Sequence, residues 1–96
     1  MRTCSNAELI NEYTQTIHQL ALRALNGDDV SRAIDSTINE AYYYLVTLMG
    51  NDSTTNFLAF RNKLQLVADS VHENCHEYKR AINYAVVLAT IEGAMN

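Results

Sequence analysis

Apolar residues recur at spacings of three and four along most of the chain, a rhythm that predicts amphipathic α-helices. The first helix begins after Ser5, because Ser5 and Glu8 have the spacing of a capping box. It ends at Gly27, since glycine readily adopts the left-handed conformation of a helix terminus. Its predicted core-facing stripe consists of Ile10, Tyr13, Ile17, Leu20 and Ala24.

Two further helices are predicted between groups of turn-forming residues. Asp28 and Asp29 are good N-terminal caps for the second helix, which stops at Gly50. Its apolar face consists of Val30, Ile34, Thr37, Ala41, Leu45 and Leu48. The third helix follows a turn at residues 51–54, and its apolar face consists of Phe57, Phe60, Leu64, Val67 and Val71. Of the three consecutive tyrosines at 42–44, the ring expected to face away from the core is Tyr43.

The last helical segment differs from the others because it is apolar on two opposite sides. One stripe consists of Tyr78, Ile82, Ala85 and Ala89. The other consists of Tyr84, Val87, Leu88, Ile91 and Met95. A helix that is apolar on most of its circumference must be covered by its own chain or by a second one. We therefore expect the second stripe, together with Tyr43, to form an interface. The alternative is that this stripe packs on its own chain.

The boundary between the third and fourth helices carries two opposing signals. No Gly or Pro separates Val71 from Tyr78, and the apolar rhythm continues through this stretch. However, Asn74 and Glu77 have the spacing of a second capping box. A break here gives an all-α, antiparallel, up-down-up-down four-helix bundle formed as a single domain by residues 1–96. The alternative has three helices, the last of them continuous for about 40 residues and about 60 Å.

Composition agrees with an all-helical protein and narrows the classes of function. Pro is absent, there are only three Gly, and 48% of the residues are hydrophobic. The net charge is −4 and the seven Lys and Arg are scattered, whereas nucleic-acid binders concentrate positive charge on one face. The N-terminus has no apolar run of signal-peptide length, and no segment is apolar for the roughly 20 residues that cross a bilayer. We therefore expect a cytoplasmic protein that binds neither nucleic acid nor membrane.

One stretch matches a catalytic motif. His72, Glu73 and His76 have the H-E-x-x-H spacing, in which two histidines on one helical face ligate Zn²⁺ and the glutamate acts as general base. The resemblance to metallopeptidases covers five residues only, and no second motif supplies a third ligand. A helix cap at Asn74 would also separate the two histidines. The sequence therefore favours a polar helix junction without a metal or other cofactor.

Two other reactive side chains have structural interpretations. His18 falls on the outward side of the first helix and is expected to be a plain surface histidine. Cys75 is expected to be a small apolar core residue and not a nucleophile. With Cys4 as the only other cysteine, the chain lacks a disulfide framework, and both thiols are expected to be free.

These patterns favour a non-enzymatic function. We expect a small acidic helical interaction module that forms a homodimer, binds a protein partner, or does both, in the manner of an inhibitor, an adaptor or a chaperone-like regulatory protein. The expected interface residues are Tyr84, Val87, Leu88, Ile91, Met95 and Tyr43. The alternative is a small zinc-dependent hydrolase that uses His72, Glu73 and His76.

Overall fold

Four α-helices form the fold in the computed structural model, which describes residues 6–48 and 53–94. They are α1 (Asn6–Leu25), α2 (Ser31–Tyr42), α3 (Ser53–Ser70) and α4 (His76–Ala94), and α2 continues into π-helical turns at Tyr43–Leu48. No strand occurs in these ranges. The predicted all-α four-helix bundle is confirmed, and α3 and α4 are separate helices. Ser5, Gly50 and Met95, to which predictions were attached, lie outside the described residues.

The central helix of the bundle is α4, which packs against α1, α2 and α3. Its first predicted stripe is buried, with Ile82 and Ala85 fully inaccessible to solvent and Ala89 nearly so. Small side chains at Ala85 and Ala89 allow neighbouring helices to approach closely, because the separation of packed helices depends on the side chains at the contact. The large side chains that enclose this stripe are Ile17, Ile34, Ile38, Leu45, Phe57, Phe60 and Leu64.

Aromatic rings connect α3 to both helices of the first hairpin. The ring of Tyr42 meets Phe57 edge to face, with centroids 5.2 Å apart, and Tyr13 meets Phe60 at 6.2 Å. Edge-to-face pairs place the positive rim of one ring against the negative face of the other and are worth about 0.5–1.5 kcal/mol beyond their burial. The two phenylalanines of α3 are therefore anchored on different helices.

The turn from α1 to α2 has a well-defined geometry. Gly27 has a φ of 93°, in the left-handed region. Its N–H donates to the carbonyl of Ala24 (3.0 Å), and the N–H of Asp28 donates to the carbonyl of Arg23 (3.3 Å). This pair of hydrogen bonds is the Schellman motif, so Gly27 ends α1 as predicted.

The start of α2 differs in detail from the prediction. The residue at the cap position is Val30, and it makes no side-chain hydrogen bond to the helix. Instead, Asp29 acts one residue earlier, where its Oδ1 accepts hydrogen bonds from the backbone N–H (3.1 Å) and the hydroxyl (2.7 Å) of Ser31. These hydrogen bonds lower the pKa of Asp29, and the carboxylate stays ionised.

The end of α2 also departs from the predicted helical wheel. Tyr43 is exposed as expected, at 48%, but Tyr44 is exposed too, at 41%, although Tyr43 was the one ring of the three that was expected to face away from the core. The physical reason is the change to π-helical winding at Tyr43. Hydrogen bonds in such turns run from residue i to i+5, so each residue rotates by less than the 100° of an α-helix.

The break between α3 and α4 lies where it was predicted, but Asn74 is not the cap. The first helical hydrogen bond of α4 runs from the N–H of Lys79 to the carbonyl of Cys75 (2.9 Å), which puts Cys75 at the cap position. The N–H of Asn74 donates to Nδ1 of His72 (3.2 Å) within the connecting turn. Among the described residues, no helix is both long enough and apolar enough to traverse a membrane.

Two glycine substitutions should change stability in opposite directions. Gly27→Ala should lower the free energy of unfolding by about 1–2 kcal/mol, because a left-handed φ is costly for a residue with a Cβ. Gly93→Ala, inside α4, should raise it by up to about 1 kcal/mol through helix propensity. Its new Cβ would meet Phe57 at an ordinary contact distance of 3.7 Å. Urea denaturation measures both, and equal effects of the two changes would contradict the assigned turn.

Candidate functional site

The second stripe of α4 is only partly covered by the bundle. Tyr84, Val87 and Ile91 are 39%, 54% and 52% exposed, although α4 packs against three helices. Leu88 is half-buried and packs against the core. Met95 lies outside the described residues. The structure thus brings three of the predicted interface residues together on one exposed helical face, here called the α4 stripe (Tyr84, Val87 and Ile91).

The helix that carries the α4 stripe is fixed to α3 beside it. The hydroxyl of Thr90 accepts a hydrogen bond from Nε of Arg61 on α3 (2.8 Å) and donates one to the carbonyl of Val86 (2.8 Å). Near the end of the helix, Gly93 lies under the ring of Phe57. The α4 stripe is therefore presented by a helix that tertiary contacts hold in place, and not by a loose segment.

Tyr43 lies on a different element from the α4 stripe. It is on the π-helical turn after α2, where its ring packs edge to face on that of Tyr44 with centroids 5.3 Å apart. Both rings are more than 40% exposed. The pair offers additional apolar surface, and its association with the α4 stripe stays a prediction.

A groove of about 500 Å³ opens between the α1–α2 turn, the first residues of α2 and the first half of α4. Its apolar lining consists of Ala24, Val30, Ile34, Ala81 and Tyr84. Its charged lining consists of Asp28, Asp29, Glu77 and Arg80. The sequence gave no sign of this groove, because it brings together residues about 50 positions apart that neither periodicity nor motif spacing relates.

The H-E-x-x-H residues do not have the geometry of a zinc site. His72 and Glu73 lie in the turn between α3 and α4, while His76 is the first residue of α4. The i, i+4 spacing places two histidines on a common face only within one helix, and here the helix begins after the first of them. Nδ1 of His72 also accepts the N–H of Asn74. Within residues 6–48 and 53–94, no group of three or more His, Cys, Asp or Glu side chains is arranged to hold a metal ion.

His18 is not the surface histidine that was expected. It is half-buried between α1 and α4, and its Nδ1 lies 2.5 Å from the hydroxyl of Tyr78. The two rings are also edge to face, with centroids 5.5 Å apart. The helical wheel failed here because α4 covers more of α1 than a single apolar stripe indicates. Cys75 is half-buried against the core, as predicted.

The pKa values of two buried tyrosines, Tyr13 and Tyr78, are raised. Burial raises the pKa of Tyr13, and the nearby carboxylate of Glu40, which is hydrogen-bonded to the hydroxyl, raises it further. Burial also raises the pKa of Tyr78, with a smaller contribution from Cys75. Both shifts have the same cause, because the phenolate is less well solvated inside the bundle than in water.

Comparisons with protein-family models, with curated proteins and with solved structures find no match for this chain. Inferences about its function therefore rest on its own residues.

The tyrosine shifts predict that stability falls in alkaline solution. When folding raises the pKa of a tyrosine, the folded protein has its full stability only below the pKa of tyrosine in the unfolded chain, about 10. As the pH rises from this value toward the folded-state pKa, that stability is lost. Urea denaturation of the Tyr13→Phe, Tyr78→Phe variant should therefore show a shallower decline above pH 10 than the wild type. Tyr43→Phe, at an exposed position, serves as the control and should keep the wild-type decline. Identical slopes for all three proteins would contradict the prediction.

The geometry of the α3–α4 turn predicts that the histidines hold no stoichiometric zinc. Titration of the purified protein with Zn²⁺ should show no tight site, and His76→Ala should change neither zinc content nor melting temperature in the presence of zinc. A one-to-one zinc complex that is lost in His76→Ala would show that the turn rearranges around a metal, and would revive the hydrolase alternative.

Proposed function

We propose that this protein is a non-enzymatic helical interaction module that self-associates through the α4 stripe. The observation that carries the proposal is the exposure of Tyr84, Val87 and Ile91 on one face of a helix whose opposite face is buried in the core. Single exposed apolar residues are ordinary, but contiguous ones on a fixed surface mark interaction sites. A cytoplasmic location fits this proposal, because reducing compartments keep thiols free and Cys75 forms no disulfide within the part of the chain that the structure describes.

A second copy of the chain suits this surface. The three residues follow each other at spacings of three and four, which is the repeat of a helix–helix seam. In an antiparallel pair related by a two-fold axis at a level between Val87 and Leu88, Tyr84 of one copy would meet Ile91 of the other. Such an arrangement is self-complementary, since each copy presents the same patch. The surface that the proposed dimer needs is therefore already exposed on the bundle.

The size of the stripe limits the strength of this association. Three side chains that are about half exposed offer on the order of 250 Å² per copy, or about 12 kcal/mol for two copies at about 25 cal/mol per Å². Association costs about 4–15 kcal/mol in lost freedom of motion, and a standard interface buries about 800 Å² per partner. The two terms are similar in size, so the stripe alone supports a weak and reversible dimer.

Charged substitutions in the α4 stripe should abolish self-association without unfolding the bundle. In sedimentation experiments from low to high micromolar concentration, the wild type should shift toward a dimer, while Val87→Asp and Ile91→Asp should stay monomeric and helical. Asn83→Asp is the matched control, because Asn83 is exposed on the same helix but is not part of the α4 stripe. It should associate like the wild type. A wild-type protein that stays monomeric throughout this range would refute self-association.

A further inference from the structure

We infer that the groove between the α1–α2 turn and α4 binds a basic amphipathic segment of a protein partner, with an apolar side chain in the groove and a Lys or Arg against its acidic wall. This goes beyond self-association, because it assigns a second site and the chemistry of its ligand. Of the three residues in the α4 stripe, only Tyr84 also lines the groove.

The groove has the size and the lining of a binding site. Its volume of about 500 Å³ falls within the roughly 300–1,000 Å³ of ordinary ligand pockets. Val30, Ile34 and Ala81 form its buried floor, so the apolar surface open to a ligand comes chiefly from Ala24 and the half-covered ring of Tyr84. An apolar side chain entering here would displace water from apolar surface, which supplies the affinity.

The walls of the groove are formed before any ligand arrives. One wall is the turn held by the left-handed Gly27 and by the hydrogen bonds of Asp29 to Ser31. The opposite wall is the first half of α4, which Tyr78 ties to His18 on α1. A rigid site loses little conformational freedom on binding, so a larger part of the contact energy appears as affinity.

The charges around the groove select a cationic partner. Asp28 is paired with Arg23 (3.3 Å), and Asp29 accepts the hydrogen bonds of Ser31 and has the charge of Arg32 nearby. Glu77 has no ion pair within the part of the chain that the structure describes. Arg80 is the single cation among the lining residues. Three carboxylates therefore line the groove against one guanidinium, because Arg23 and Arg32 do not line it, and the α1–α2 turn contributes two of the three. A basic residue there gains an opposite charge, whereas an acidic one meets repulsion.

The test uses two synthetic helical peptides that are identical except that the residues flanking a central Leu are Lys in one and Glu in the other. In NMR titrations of the labelled protein, the Lys peptide should shift the amide signals of residues 27–31 and 77–84, and high salt should weaken the effect. Equal binding of the Glu peptide, or shifts confined to other residues, would overturn the inference.

Substitutions in the protein assign the binding to the groove charges. Asp29→Asn with Glu77→Gln should weaken binding of the Lys peptide about three- to tenfold, as expected for two exposed ion pairs. Asn keeps a side-chain oxygen for Ser31, so the turn should persist. Arg80→Gln should strengthen binding. The matched control, Asp35→Asn with Glu73→Gln, removes the same charge at exposed positions outside the groove and should leave binding unchanged. If both double variants weakened binding of the Lys peptide equally, the cause would be the net charge of the protein and not the groove, and the inference would be overturned.

The same titration in the Val87→Asp background separates this inference from the proposed self-association. Val87 does not line the groove, and in the monomeric variant no second copy covers Tyr84, so this variant should bind the Lys peptide at least as tightly as the wild type does. Loss of peptide binding in Val87→Asp would place the peptide on the α4 stripe instead and refute the groove. A wild type that never dimerises but binds the Lys peptide in the groove would refute self-association alone.

Discussion

The bundle depends on covering one helix that is apolar around most of its circumference. On α4, Ala85 and Ala89 are small enough for other helices to pack close to the backbone, and the side chain of Ile82, on the same face, is fully buried. Three helices can approach a central one and still leave an arc open, and here the arc contains Val87 and Ile91. The same sequence property therefore accounts for both the core and the exposed face, because the three helices that pack on α4 in the described part of the chain leave one side of it uncovered.

Periodicity predicted those parts of the fold in which a helix meets the core with a single stripe. The apolar faces of α2 and α3 agree with the structure, since Ile34, Phe57 and Leu64 are buried as their spacing required. Gly27 was predictable as well, because few residues other than glycine tolerate a φ of 93°. In these places, the local conformation and the burial of the side chain are determined by the same few residues.

Features that depend on distant contacts or on a change of helical winding could not be read from the sequence. His18 looked solvent-exposed on a wheel of α1, yet Tyr78, 60 residues away, covers it. Tyr44 left its expected face because the winding changes at Tyr43, and no residue there signals a π-helical turn. The groove is a third case, since Val30 and Ala81 meet only in the folded chain. In the H-E-x-x-H match, by contrast, the sequence has a motif whose geometry the fold does not provide. Zinc binding by this motif requires a continuous helix, and the α3–α4 turn interrupts it.

The side chain at Val87 fits the proposed self-association better than it fits the packing of the bundle. Leu88, the next residue, is apolar because it packs against the core, and Asn83 is polar at an exposed position on the same helix. Val87 is more than half exposed, so a polar residue there would cost the bundle little burial. A β-branched valine is also a slightly poorer helix former than most polar residues with straight side chains. Neither core packing nor helix propensity favours valine at this position, whereas contact with a second copy, as proposed above, would favour it.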